Sequence, residues 1–236
     1  MAAFLSFALL AIIASGAALT TLRHIAARPE YIHVRAGIAV GALCFVLGVW
    51  CLLDRNPVLR WLGILVALTT GVEAMSRAVL IHACFAPVLF AAVAAVAGFR
   101  PVRPLSAPAG RFPLRPLVLC LPPLVFLQIA LGAAARHKVF GVMPHLGAAL
   151  PLAGLILIVC LSVLRHYSND RPLRSRARAL LVMLLIQVPL GMVVLILRSL
   201  PPNNLLAVAA AAHVATGSLT FAASALLALQ YQRSVR

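Results

Sequence analysis

Residues 29–53 read PEYIHVRAGIAVGALCFVLGVWCLL. From Ile38 to Leu53 the run is almost wholly apolar. In lipid only a helix or a closed barrel satisfies its own backbone. The run shows no alternation of period two, so it predicts a membrane helix rather than a barrel strand. Glu30, His33 and Arg35 stand at the mouth of that helix. The chain has only four acidic residues, so a carboxylate three positions before a histidine calls for an explanation.

The pattern repeats along the whole chain. Of the 236 residues, 64% are hydrophobic and 10% charged, whereas a soluble domain is about half apolar and a quarter charged. Eight apolar segments have helical length, at roughly 2–22, 31–53, 59–76, 79–99, 116–135, 144–165, 178–198 and 205–230. A span needs roughly 20 such residues. The sequence therefore predicts an all-α integral membrane protein of eight transmembrane helices. The apolar N-terminus has no basic region before it, and arginine follows it. It reads as a retained first span rather than a signal peptide.

The net charge of +16 suggests nucleic acid at first sight. Its distribution argues against that partner, because the basic residues fall in short runs between apolar segments, as in membrane loops. With the N-terminus inside, the inner segments carry 13 cations and the outer ones 7. Cytoplasmic loops hold the excess, so both termini are expected in the cytoplasm. The five cysteines all lie inside apolar segments, where Cys behaves as a small hydrophobe, and no disulfide or zinc site is inferred. Trp50 and Trp61 fall at the inner ends of spans 2 and 3, as aromatic belts do.

Residues 100–115, RPVRPLSAPAGRFPLR, are rich in proline and arginine and read as a cytoplasmic linker. It divides the chain into an N-terminal half, 1–99, and a C-terminal half, 116–236. The halves look related, as two pseudo-symmetric four-helix bundles. Each first span ends in Arg-His, at Arg23-His24 and Arg136-His137, and a histidine follows near the start of the next span. A finer echo joins QIALG at 128–132 to QVPLG at 187–191.

Ionisable residues inside a membrane are costly and point to function. His33, His82, His145 and His213 occupy spans 2, 4, 6 and 8, each in the first third of its span, so all four sit at a similar depth near the outer face. Two histidines facing each other across a four-helix bundle can ligate a haem iron from both sides. The pairs would be His33 with His82 and His145 with His213. The plainer alternative is that each histidine hydrogen-bonds a neighbouring helix. Arg23, Arg77, Arg136 and Arg198 lie at the outer ends of odd spans, where they could pair with haem propionates or snorkel to headgroups. Glu73, four residues before Arg77, fits a local ion pair and receives no catalytic role. Histidines at one face favour chemistry or haem handling there over electron relay across the membrane.

With these residues in place, the sequence resembles the heme A synthase family. The resemblance rests on EYIH at 30–33, IHACFAPVLF around His82, LQIALGAAARH at 127–137 and AHVATGSLTF at 212–221, and it covers nearly the whole chain. It implies a substrate haem, haem O or its product haem A, held by His33 and His82 in the N-terminal half. It implies a haem b held by His145 and His213 in the C-terminal half. It assigns catalysis to Glu30 and the reaction to oxidation of the haem O methyl group to the formyl of haem A. The setting would be a prokaryotic cytoplasmic (inner) membrane, with haem O synthase or a terminal oxidase as partner. Val34 separates His33 from Arg35, where the family commonly has arginine directly after the first histidine. The connection after span 1 is short and lacks the cysteine pair of many bacterial members, so this is a compact version. The alternative is a non-catalytic haem b-binding membrane protein, for electron transfer or cytochrome oxidase assembly. From the residues alone, Glu30 either shares a helix face with His33 or caps the helix start.

Overall fold

The computed structural model describes residues 1–21, 28–76, 78–99, 114–201 and 204–235, apart from the side chains of Thr20 and residues 28–30. Among the described residues the chain is all-α, with eight helices long and apolar enough to cross a membrane. They are α1 (Ala2–Thr21), α2 (Arg28–Leu52), α3 (Pro57–Met75), α4 (Val79–Ala97), α5 (Leu114–Arg136), α6 (Met143–His166), α7 (Arg171–Arg198) and α8 (Asn204–Ser234).

Most boundaries follow local chemistry. Asn56 caps α3 by accepting from Val58 N at 2.9 Å, with Pro57 at the first helical position, where its missing N–H costs nothing. Two boundaries correct the sequence reading. Leu114 and Arg115, assigned to the linker, belong to α5; residues 100–113 lie outside the described residues. Helix α7 begins at Arg171, seven residues before the expected 178, because the Asp170 side chain accepts from Leu173 N at 2.7 Å and caps it. Arg171, Arg174, Arg176 and Arg178, counted as loop cations, are therefore helical. Their long side chains extend a helix beyond its apolar part, which hydropathy alone does not register.

Helices α1 to α4 close a ring of contacts, each packing on the next and α4 returning to α1. Helices α5 to α8 close a second ring in the same order. The rings meet where α8 packs on α1 and α4, and where α4 packs on α5. The core lies along that seam. Val93 of α4, Val118 and Leu121 of α5 and Leu227 of α8 are fully buried, and Phe126 stacks between Phe85 and Phe221 at 6.5 and 6.1 Å. Helix α7 instead exposes Leu185, Val188, Met192 and Ile196, as expected of a surface solvated by lipid. Within the first ring α2 and α3 touch backbone to backbone: a Cβ built on Gly63 would lie 2.7 Å from the Gly48 carbonyl oxygen and 2.8 Å from Cys51 Cβ. Small residues permit such close crossings in membranes.

Two arginines tie the rings together at opposite ends. Arg136 Nη2 at the end of α5 donates to the Ala17 carbonyl and, at 3.0 Å, to Thr21 Oγ1, both on α1. Arg176 of α7 donates to the Gly98 carbonyl after α4 at 3.2 Å. All five cysteines are free thiols.

Candidate haem-binding histidine pairs

Each of the four histidines lies near the N-terminus of an even helix. His33, His82 and His145 fall within the first six residues, and His213 is the tenth residue of α8. Ring packing brings α2 opposite α4 and α6 opposite α8, and the histidines meet in those pairs. The His33 and His82 ring centres are 6.3 Å apart with planes at 87°. The His145 and His213 centres are also 6.3 Å apart, with planes at 85°.

That spacing can be compared with one iron held between two imidazoles. A metal–imidazole bond is about 2.0 Å long and the ring centre lies about 1.1 Å behind the bonding nitrogen, so the two centres would be roughly 6.2 Å apart. Both pairs have this separation. Near-perpendicular rings at this distance also make an ordinary edge-to-face pair, so it is the recurrence of the same spacing in both halves that singles the histidines out.

The preceding odd helix supports each imidazole. Ser15 Oγ of α1 spends its proton on the Ile12 carbonyl at 2.9 Å and lies 2.9 Å from His33 Nδ1. The hydroxyl so placed can accept from Nδ1–H in the tautomer that carries its proton there. Glu73 Oε2 of α3 meets His82 Nδ1 directly. Gln128 of α5 clamps His145 twice: its backbone carbonyl accepts from Nδ1 at 3.1 Å, and its amide donates to the His145 carbonyl at 2.9 Å. In all three the partner lies on Nδ1, the position from which a neighbouring acceptor fixes the tautomer of a metal-bound histidine. Gln187 of α7 behaves differently. Its amide nitrogen lies 3.5 Å from His213 Nε2 while its oxygen takes the Thr216 hydroxyl. His213 Nδ1 stays buried without a hydrogen-bond partner among the described residues, a state that native interiors rarely leave unrelieved.

Three glycines complete the cradles. A Cβ on Gly16 would come 2.9 Å from His33 Cε1, one on Gly132 would come 2.9 Å from His145 Cε1, and one on Gly191 would come 3.0 Å from His213 Cε1. This explains the QIALG and QVPLG echo. Residues four apart share a helix face, so glutamine and glycine together grip the histidine of the next helix. We expect Gly132→Ala to displace the His145 ring although alanine favours the helix by about 1 kcal/mol. The variant should fold but lose or weaken any chromophore bound at His145. An unchanged absorption spectrum would show that the cradle is not needed.

Sequence reasoning missed Glu73. Helical spacing suggested Arg77 as its ion-pair partner, and Arg77 lies outside the described residues; α3 itself ends at Met75, with Ser76 extended at ψ 120°. The carboxylate faces His82, with Oε2 on its Nδ1 as an ion pair. The scarcity of acidic residues was the available signal. Arg77, Arg23 and the side chain of Glu30 lie outside the described residues; the Glu30 backbone is in the first turn of α2. Arg136 and Arg198 end α5 and α7 at the histidine end, and Arg136 lies within electrostatic range of both His213 and Arg198. Arg198 and Lys138 line a shallow depression at that end with Val142 and Leu195.

No protein-family model matches the chain, and no curated protein sequence matches it significantly. The site therefore has to be interpreted from its own geometry.

Proposed function

We propose that each histidine pair holds one haem, and that the protein carries out the haem-dependent oxidation of a haem O methyl group to the formyl of haem A, as its resemblance to heme A synthases implies. The observation that carries the reading is the repeated geometry: two imidazole pairs at 6.3 Å, backed by a neighbouring-helix partner on Nδ1 of three of the four rings. A porphyrin fills the remaining positions around iron, so two imidazoles suffice as protein donors. The three glycine cradles fit a bound flat group.

The two sites differ in a way that supports different roles. His145 and His213 are held by neutral amides and fit a resident haem b. The His33–His82 site has Glu73 on one histidine and Glu30 three residues before the other, and it fits the substrate haem. Here the chain's residues hold the porphyrin and place carboxylates beside it. A bound haem supplies the redox chemistry. Arg136 and Arg198, with Arg23 and Arg77 from the sequence, would receive propionates at the outer face. The same reading puts the protein in a prokaryotic inner membrane with both termini cytoplasmic, the two rings being related halves, and haem O synthase or a terminal oxidase its partner.

Purification in detergent, an absorption spectrum and mass analysis of the extracted pigment test this. The expected result is a low-spin Soret band with haem b together with haem O or haem A. Haem b alone would replace the enzyme by a non-catalytic haem-binding protein for electron transfer or oxidase assembly. A protein without any Soret band would overturn both.

A further inference from the structure

Four residues on odd helices contact the four histidines, and three of them are neutral: Ser15, Gln128 and Gln187. The fourth is Glu73. Its carboxylate is largely buried and its Oε2 lies on His82 Nδ1, although the His82 side chain is 44% exposed, so water screens the charge only in part. We propose that Glu73 is a positioning and polarising residue that gives His82 anionic character as an iron ligand, and so sets the iron of the first site at a lower reduction potential than it would have with a neutral partner. The proposal rests on the haem reading above and adds to it a division of labour between the sites.

The physical chain is short. A carboxylate accepting from Nδ1–H shifts electron density toward Nε2 and raises the basicity of the ligand. A more basic axial ligand favours the more highly charged ferric iron over the ferrous, which lowers the potential. Around His145, by contrast, Nδ1 meets only neutral groups of Gln128, its backbone carbonyl and its side-chain amide nitrogen, each at 3.1 Å, which polarise the ring much less than a carboxylate. A plain helix-to-helix ion pair would also join Glu73 to His82. It predicts altered stability but no altered potential.

Redox titration of the haem-loaded protein, followed optically and by low-temperature electron paramagnetic resonance, separates these cases. In Glu73→Gln the haem should remain at His33 and His82, and its ferric preference should fall about tenfold, an upward shift of about 59 mV for one electron. The second haem, with Gln128 untouched, should keep its potential and so serves as the fold control within the same molecule. Glu73→Asp, which keeps the charge but shortens the reach, should recover part of the shift. An unchanged first-site potential in a haem-loaded Glu73→Gln would overturn the proposal while leaving the haem reading standing. Absence of haem from the wild-type protein would overturn the reading beneath it. Should Glu73→Gln fail to fold, the wild-type resonance decides. A smaller spread of g values at the first haem than at the second supports an anionic His82, and equal spreads refute it.

Discussion

Replacing His145 with alanine is expected to empty the second haem site and leave the first one filled. Removing one of two axial imidazoles deletes a metal bond, and even second-sphere partners of metal ligands are worth 10–100-fold in affinity. A loss of at least roughly that size is expected here, so haem b should vanish from the extract. The fold should survive. His145 lies near the start of α6 and is not part of the buried seam, which is made by Val118, Leu121, Phe126, Phe221 and Leu227. The first ring touches α6 nowhere in the main pattern of helix contacts, so a haem held at His33 and His82, as proposed, would serve as an internal reference. If the imidazole only tied α6 to α5 through Gln128, the substitution would lower stability and leave the spectrum unaltered. The ratio of the two haems in one sample therefore separates ligation from structural hydrogen bonding.

What the sequence could reveal follows from the physics of each feature. Hydrocarbon imposes length and apolarity on every span, so eight helices were legible. The start of α7 was not, because a single side chain, Asp170, sets it and the next turns carry arginines. The four histidines were legible because a polar residue recurring at one depth stands out against an apolar background. Their partners were not. Ser15 is 18 residues from His33 and Gln187 is 26 from His213, and only the rotation of one helix against another brings them together. The Gln-to-Gly echo was visible as a repeat, but its purpose needed the α5–α6 and α7–α8 contacts. The contact of Glu73 with His82 was not legible either, because it joins α3 to α4 across the turn that follows Met75.

Glu30→Ala is expected to abolish haem A formation while both haem sites still load. The substitution removes one carboxylate from the first turn of α2, where its interaction with the helix terminus is worth only about 0.3–1 kcal/mol. A loss of that size does not unfold an eight-helix protein. A positioned acid or base, by contrast, contributes roughly 100- to 10,000-fold to a rate, so the effect on turnover should far exceed the effect on stability. Glu30 has no counterpart in the second half, where Val142 stands three residues before His145. Loss of activity with a retained Soret band would therefore place the chemistry in the first half. Glu73→Ala is the natural comparison. It should shift the iron potential of that site, whereas Glu30→Ala should leave the His82–Glu73 contact intact and change product formation alone. Haem A produced at the wild-type rate by Glu30→Ala would remove that carboxylate from the reaction and leave Glu73 as the acidic group at the first haem.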